Sequence, residues 1–98
     1  MAATEVEVVF VDKKMEDDYK RLARSEHSED KRLYQVLTGI REELRKRWRS
    51  GKKITSRAAL AEYKRIHGVP NLSALKLHRH GTVIYSVSRA RIQILDIL

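Results

Sequence analysis

The spacing of apolar and polar positions changes several times along these 98 residues, and each change predicts an element. From Glu5 to Val11 the chain alternates, with Val6, Val8 and Phe10 on one face and Glu5 and Glu7 on the other, before Val9 and Val11 make the end apolar on both sides. That is the pattern of a strand. Asp12 is placed to cap a helix in which Met15, Tyr19, Leu22 and Ala23 recur at helical spacing, while Glu16, Asp17 and Asp18 sit near its positive N-terminal end. Ser25 to Ser28 breaks it, and Ser28 is expected to cap a second helix. There Leu33, Val36, Leu37, Ile40, Leu44 and Trp48 form one apolar stripe, opposed by Glu29, Asp30, Glu42 and Glu43 on other faces. Arg45, Lys46, Arg47 and Arg49 suit its C-terminal end, Ser50-Gly51 terminates it, and Gly39 within it is expected to admit a close approach of the first helix.

Lys52 to Thr55 reads as a connector. Ser56 is then expected to cap a short third helix running through His67, with Leu60, Tyr63 and Ile66 on one side and Gly68 and Pro70 to stop it. Three strands follow: Asn71 to His78, Thr82 to Val87 and Arg91 to Leu98. His80-Gly81 marks the first hairpin and Ser88-Arg89-Ala90 the second. The order β-α-α-(α)-β-β-β predicts a single α+β domain over residues 1–98, a small, mainly antiparallel sheet with helices packed on one face. The opposite face is then the expected place for a concave basic surface.

Composition narrows the chemistry. There is no cysteine, which excludes disulfide frameworks, iron–sulfur clusters and thiol nucleophiles. No apolar run has the length of a membrane span and the N-terminal stretch lacks signal-peptide character, so a cytoplasmic protein with no membrane partner is expected. The net charge of +8 is unevenly placed: residues 1–49 carry 12 basic and 11 acidic side chains, whereas residues 50–98 carry 9 basic and only Glu62 and Asp96 against them. From Arg45 to Arg65 nine cations face the single acid Glu62. A polyanion is the natural partner for such a surface, because each phosphate neutralised releases condensed counterions.

The four glycines are isolated, so no phosphate-cradling loop and no nucleotide cofactor is expected. His78 and His80 lack a nearby third ligand, and no metal is expected. Paired acids such as Asp17-Asp18 and Glu42-Glu43 read as solvated helix charges. What remains is a basic group around the first hairpin, Lys76, His78, Arg79 and His80, with Lys52, Lys53, Arg57 and Lys64 in and after the connector. Cations that stabilise charge on phosphate oxygens, together with a histidine that moves a proton near neutrality, are the requirements of phosphodiester transesterification. The same side chains equally serve to hold phosphates or an acidic partner without reaction, and the residues alone favour this simpler use.

Several strings in order resemble the RelE/ParE superfamily of type II toxin–antitoxin toxins, in particular its RelE-like cytotoxic translational repressors. They are Val9-Phe10-Val11-Asp12, Glu29-Asp30-Lys31 through Leu44, Gly51-Lys52-Lys53-Ile54, Glu62-Tyr63 with His67-Gly68-Val69, Asn71-Leu72, and Val83-Ile84-Tyr85. The resemblance implies a compact toxin that binds messenger RNA at the ribosome and cleaves it without metal through the ribose 2′-hydroxyl. It also implies an antitoxin partner with an acidic toxin-binding segment. Lys76 falls on the strand where such toxins place a catalytic lysine, and Lys52 and Lys53 lie in the basic connector. The chain departs from the family at Ser73, where related sequences have tryptophan, and at Gly81-Thr82, where an aromatic residue and a phosphate-holding arginine are usual. Its last residue, Leu98, precedes the segment in which the family carries further arginine, tyrosine or histidine groups. Three functions therefore stay open: an endoribonuclease toxin in which His78, Arg79 and His80 replace those groups, a RelE-fold protein that binds RNA or an antitoxin without cutting, and a ParE-like topoisomerase poison.

Overall fold

The structure, a computed structural model, describes residues 6–77, 79–89 and 91–98. Five strands form one mixed sheet: β1 (Glu7–Phe10), β2 (Lys52–Lys53), β3 (Ser73–Leu77), β4 (Gly81–Ser88) and β5 (Arg91–Ile97). Their order is β1-β5-β4-β3-β2, with β1 parallel to β5 and every other pair antiparallel. The helices are α1 (Lys13–Leu22), α2 (Ser28–Arg47) and α3 (Arg57–His67), and a single 3-10 turn, Trp48–Ser50, follows α2. This is the small α+β arrangement expected, with the connector lysines drawn into the sheet as its edge strand. Among the described residues no helix is long and apolar enough to cross a membrane.

Local signals act where they were read, with one exception. The Asp12 carboxylate accepts from the Lys14 amide, the Ser56 hydroxyl accepts from the Ala59 amide, and Gly68 ends α3 in the left-handed region at φ 67°. The exception is Ser28, which is the first residue of α2 and not its cap. Ser25 organises that entry instead, its hydroxyl accepting from the His27 amide and donating to the Asp30 carboxylate. At the second hairpin Arg89 takes the positive φ, 55°, that no residue there favours.

The larger correction concerns the faces of the sheet. α1 and α2 pack on one face, where Val8, Phe10, Ile40, Leu44, Leu75 and Tyr85 belong to one buried cluster. The other face is not left open. Val69, Leu72, Ile84 and Leu95 form a second buried cluster there, and Leu60 and Tyr63 of α3 lie against it with Ile54. The helices therefore sandwich the sheet, because β4 and β5 carry apolar residues on both sides: Val83 and Tyr85 against Ile84, and Ile92 and Ile94 against Leu95. A register shift beside Ile84 and Tyr85 lets Leu95 turn to the α3 side while Ile97 returns to the α2 side.

The stripe of α2 also divides. Leu37, Ile40 and Leu44 serve the sheet, but Leu33 and Val36 are exposed. The flank holding Tyr34, Thr38 and Arg41 meets α1: Tyr34 stacks on Tyr19 at 5.0 Å, the Tyr19 and Thr38 hydroxyls are 2.7 Å apart, and Arg41 lies 4.4 Å from the Tyr19 ring. Arg41 also donates to the Val8 carbonyl and pairs with Glu16, whose carboxylate accepts from the Phe10 amide. Gly39 faces away from this contact, so the close approach expected for α1 is not made there. Its neighbour is the hairpin residue His80, whose Nε2 lies 3.7 Å from where a Cβ would stand.

Candidate nucleic-acid interface

The hairpin between β3 and β4 does not gather its basic residues at one point. Leu75 and Leu77 belong to the cluster beneath α2, so Lys76 between them projects on the α3 side, exposed, opposite Thr82. His80 and Arg79 instead line a cleft of about 470 Å³ against α2, together with Gly39, Glu42, Glu43 and Lys46. Lys76 and His80 are thus on opposite faces of the sheet. His78 lies outside the described residues. Gly81 is required at this turn: its φ is 85°, and a Cβ would lie 2.1 Å from the carbonyl oxygen of Leu98, which accepts from the Thr82 amide.

The connector gathers more. Lys53 pairs with Ser73 and Lys52 with Ala74, so the two lysines project on opposite sides of the sheet edge. Lys53 lines a second cleft, about 720 Å³, at the end of the sheet where its two layers meet. Arg49 from the 3-10 turn and Arg57 from the first position of α3 line it as well. Its apolar walls come from Trp48, Ile54, Leu60, Leu72 and Val87, and among the described residues no carboxylate lines it. Lys64, two turns beyond Arg57, is exposed along the same flank of α3 and does not reach the cleft.

Charge pairing sets the two clefts apart. Arg45, Arg47 and Arg65 are bridged to Glu42, Glu43 and Glu62 at 3.1, 3.3 and 2.7 Å. Among the described residues Arg49, Lys53 and Arg57 have no such partner. The Arg49 guanidinium lies 5.0 Å from the centroid of the Trp48 ring, within the range of a cation–π contact. The basic run from Arg45 to Arg65 is therefore partly neutralised along the helices and left uncompensated around the second cleft.

The framework of this cleft is fixed by hydrogen bonds between elements. The Tyr85 hydroxyl donates to the Trp48 carbonyl at 2.5 Å, which ties the end of α2 to the centre of the sheet. Burial pushes the Tyr85 phenol above its ordinary range, against the opposing influence of hydrogen bonds from Gly51 and Ser73. Gly51 is needed because a Cβ there would lie 1.8 Å from the Tyr85 hydroxyl. Opposite, the Asn71 amide donates to the Val87 carbonyl while its oxygen accepts from the Val87 amide and the Ser86 hydroxyl. Asn71 thus closes the wall between the entry to β3 and the end of β4. Trp48 packs against the first core cluster, as its place on the α2 stripe predicts, and lines the cleft as well, whereas the sequence alone gives Asn71, Gly51 and Tyr85 no part in a site. The one local signal available was an aromatic residue interleaved with cations, Arg47-Trp48-Arg49.

Compared with known proteins, the chain matches no family model, and no curated protein or solved structure is significantly similar to it.

Proposed function

We propose that this domain binds single-stranded RNA through the cleft bounded by Arg49, Lys53 and Arg57, as a RelE-like protein of the toxin–antitoxin class that holds RNA without cutting it. The observation that carries the binding is a cleft that no carboxylate lines among the described residues, where Arg49, Lys53 and Arg57 stand without an ion-pair partner around apolar walls, the last two in the half of the chain with nearly all the excess charge. Opposed cations of this kind attract a polyanion through counterion release, whereas the paired arginines along α2 and α3 do not. Binding is favoured over cutting because Lys76 and His80 lie on opposite faces of the sheet, so this pair cannot act together on one phosphate. Membership of a toxin–antitoxin pair, with an acidic antitoxin as partner, rests on the resemblance of the ordered strings.

The test is fluorescence anisotropy with a labelled oligouridylate across a salt series, followed by mapping of the RNA ends. Affinity is expected to fall with a log–log slope of about −2, the value for three phosphates neutralised on a single strand. The RNA is expected to remain intact. Salt-independent or absent binding refutes the reading, and cleavage at defined positions would restore the endoribonuclease.

A further inference from the structure

We propose that the same cleft is a subsite for one unpaired nucleotide of an RNA strand, with the base lying on the Trp48–Arg49 stack and the phosphates on either side of it held by Lys53 and Arg57. This rests on the RNA-binding reading and adds to it the part of the ligand that the cleft recognises. A surface that only attracts phosphate needs cations and no cavity. Here the cations rim a cavity of about 720 Å³, within the size range of small-ligand sites, and its walls are aromatic and aliphatic. A nucleotide matches both properties, since every base has a flat face that stacks on an aromatic ring or a guanidinium plane and carries a phosphate beside it. Arg49 is already held over Trp48, so the flat surface exists before a ligand arrives.

The polar walls argue against an acidic peptide as the occupant. A peptide needs partners for its backbone amides and carbonyls, but the Asn71 side chain is occupied by Val87 and Ser86. The cleft at the hairpin is a poorer anion site, because Glu42 and Glu43 line it. Lys76, on the α3 side of the sheet, has no part in this subsite.

Trp48 is the only tryptophan in the chain, so the intact protein carries its own reporter. The experiment titrates the full chain with pentauridylate, uridine monophosphate, inorganic polyphosphate and polyglutamate, recording tryptophan emission beside the anisotropy of labelled pentauridylate. Pentauridylate is expected to quench Trp48 and to bind at least tenfold more tightly than the mononucleotide, while polyphosphate competes without quenching. The double variant Lys53→Ala/Arg57→Ala, at two exposed positions, is expected to keep the fold by circular dichroism. It should flatten the salt slope for pentauridylate by about 1.4, the share of two phosphates on a single strand. If pentauridylate binds with no change at Trp48, the nucleotide subsite is wrong and phosphate binding at the cleft stands; if the double variant leaves the salt slope unaltered, the cleft is not the RNA site and both readings fall. If no oligonucleotide binds by either readout, both readings fall. Quenching by polyglutamate equal to that by pentauridylate makes the cleft a peptide site and overturns the proposal. Equal affinity for the mononucleotide and the pentamer overturns the assignment to an RNA strand.

Discussion

Replacing Gly51 by alanine tests how the cleft is held. The new methyl group would stand 1.8 Å from the Tyr85 hydroxyl and 2.8 Å from the ring carbon that bears it. Tyr85 is fully buried in the cluster beneath α2, so its ring cannot swing away without disturbing Leu44 and Val83. Overpacking of this kind costs about 1–3 kcal/mol. The displaced hydroxyl also loses its bond to the Trp48 carbonyl, worth about 1 kcal/mol. The expected loss is therefore about 2–4 kcal/mol. Tyr85→Phe alone should cost about 1–2 kcal/mol, since it leaves the Trp48 carbonyl with only the long 3.4 Å bond from the Gly51 amide. In the phenylalanine background the worst contact is gone, so Gly51→Ala should cost at least about 1 kcal/mol less than in the parent. Urea unfolding followed by Trp48 emission and by circular dichroism measures all four corners of this cycle. A Gly51→Ala variant within about 0.5 kcal/mol of the parent, or a cycle that is additive to within that margin, refutes the packing argument.

Two further perturbations separate local from tertiary effects. Gly39→Ala is expected to stabilise the protein by about 0.5–1 kcal/mol, because helix propensity favours alanine and the nearest atom is 3.7 Å away, an ordinary contact; a destabilised variant in thermal or urea unfolding contradicts this. The phenols of Tyr85, Tyr63 and Tyr19 are all raised in the folded state, first by burial, with Asp96 adding to the shift at Tyr63. Above about pH 10 the unfolded chain releases these protons before the folded one does, so stability is complete below that pH and declines as pH rises through the raised folded values. Tyrosinate absorbance of the native protein should accordingly lag behind that of the protein in urea, and coincident titration curves contradict the assignment.

Most of the fold was legible because its signals are local. Asp12, Ser56 and Gly68 act within one helical turn, and the β3–β4 and β4–β5 hairpins follow from alternation and short turns, whereas the parallel pairing of β1 with β5 and the edge strand β2 are set by tertiary packing. The side of the sheet chosen by α3 is a tertiary matter, yet its trace is in the strands. Val83-Ile84-Tyr85 and Ile94-Leu95 place apolar residues on consecutive positions, the mark of a strand covered on both faces. Reading these as one-sided strands led to the expectation of an open basic face. Leu33 and Val36 misled in the opposite direction: they share the helical period of Ile40 and Leu44, but periodicity does not tell how much of a helix the sheet underlies.

The candidate site divides along the same line. That Lys76 turns away from the α2 side can be read from its place between Leu75 and Leu77, because alternation in a strand is strict. Where His80 turns cannot, since it depends on a hairpin whose geometry is set by Gly81 and by the return of Leu98 beside Thr82. Proximity in sequence made one catalytic group of residues that the strand then separates. The second cleft is the converse case: Trp48, Lys53, Arg57 and Val87 are dispersed over 40 positions and meet only because Tyr85 anchors the end of α2 and Asn71 joins β3 to β4. Total charge pointed to a polyanion, but the location of the surface depended on which arginines the glutamates of α2 and α3 neutralise. Glu42, Glu43 and Glu62 each bridge an arginine three or four positions along the same helix, so the helices largely satisfy their own charge. Arg49, Lys53 and Arg57 stand at the 3-10 turn, on the edge strand and at the start of α3, where no carboxylate lies one helical turn before or after them on the same face. The interruption of α2 at Trp48 is thus what leaves the basic run uncompensated, and it is also what brings the single tryptophan to the same cleft.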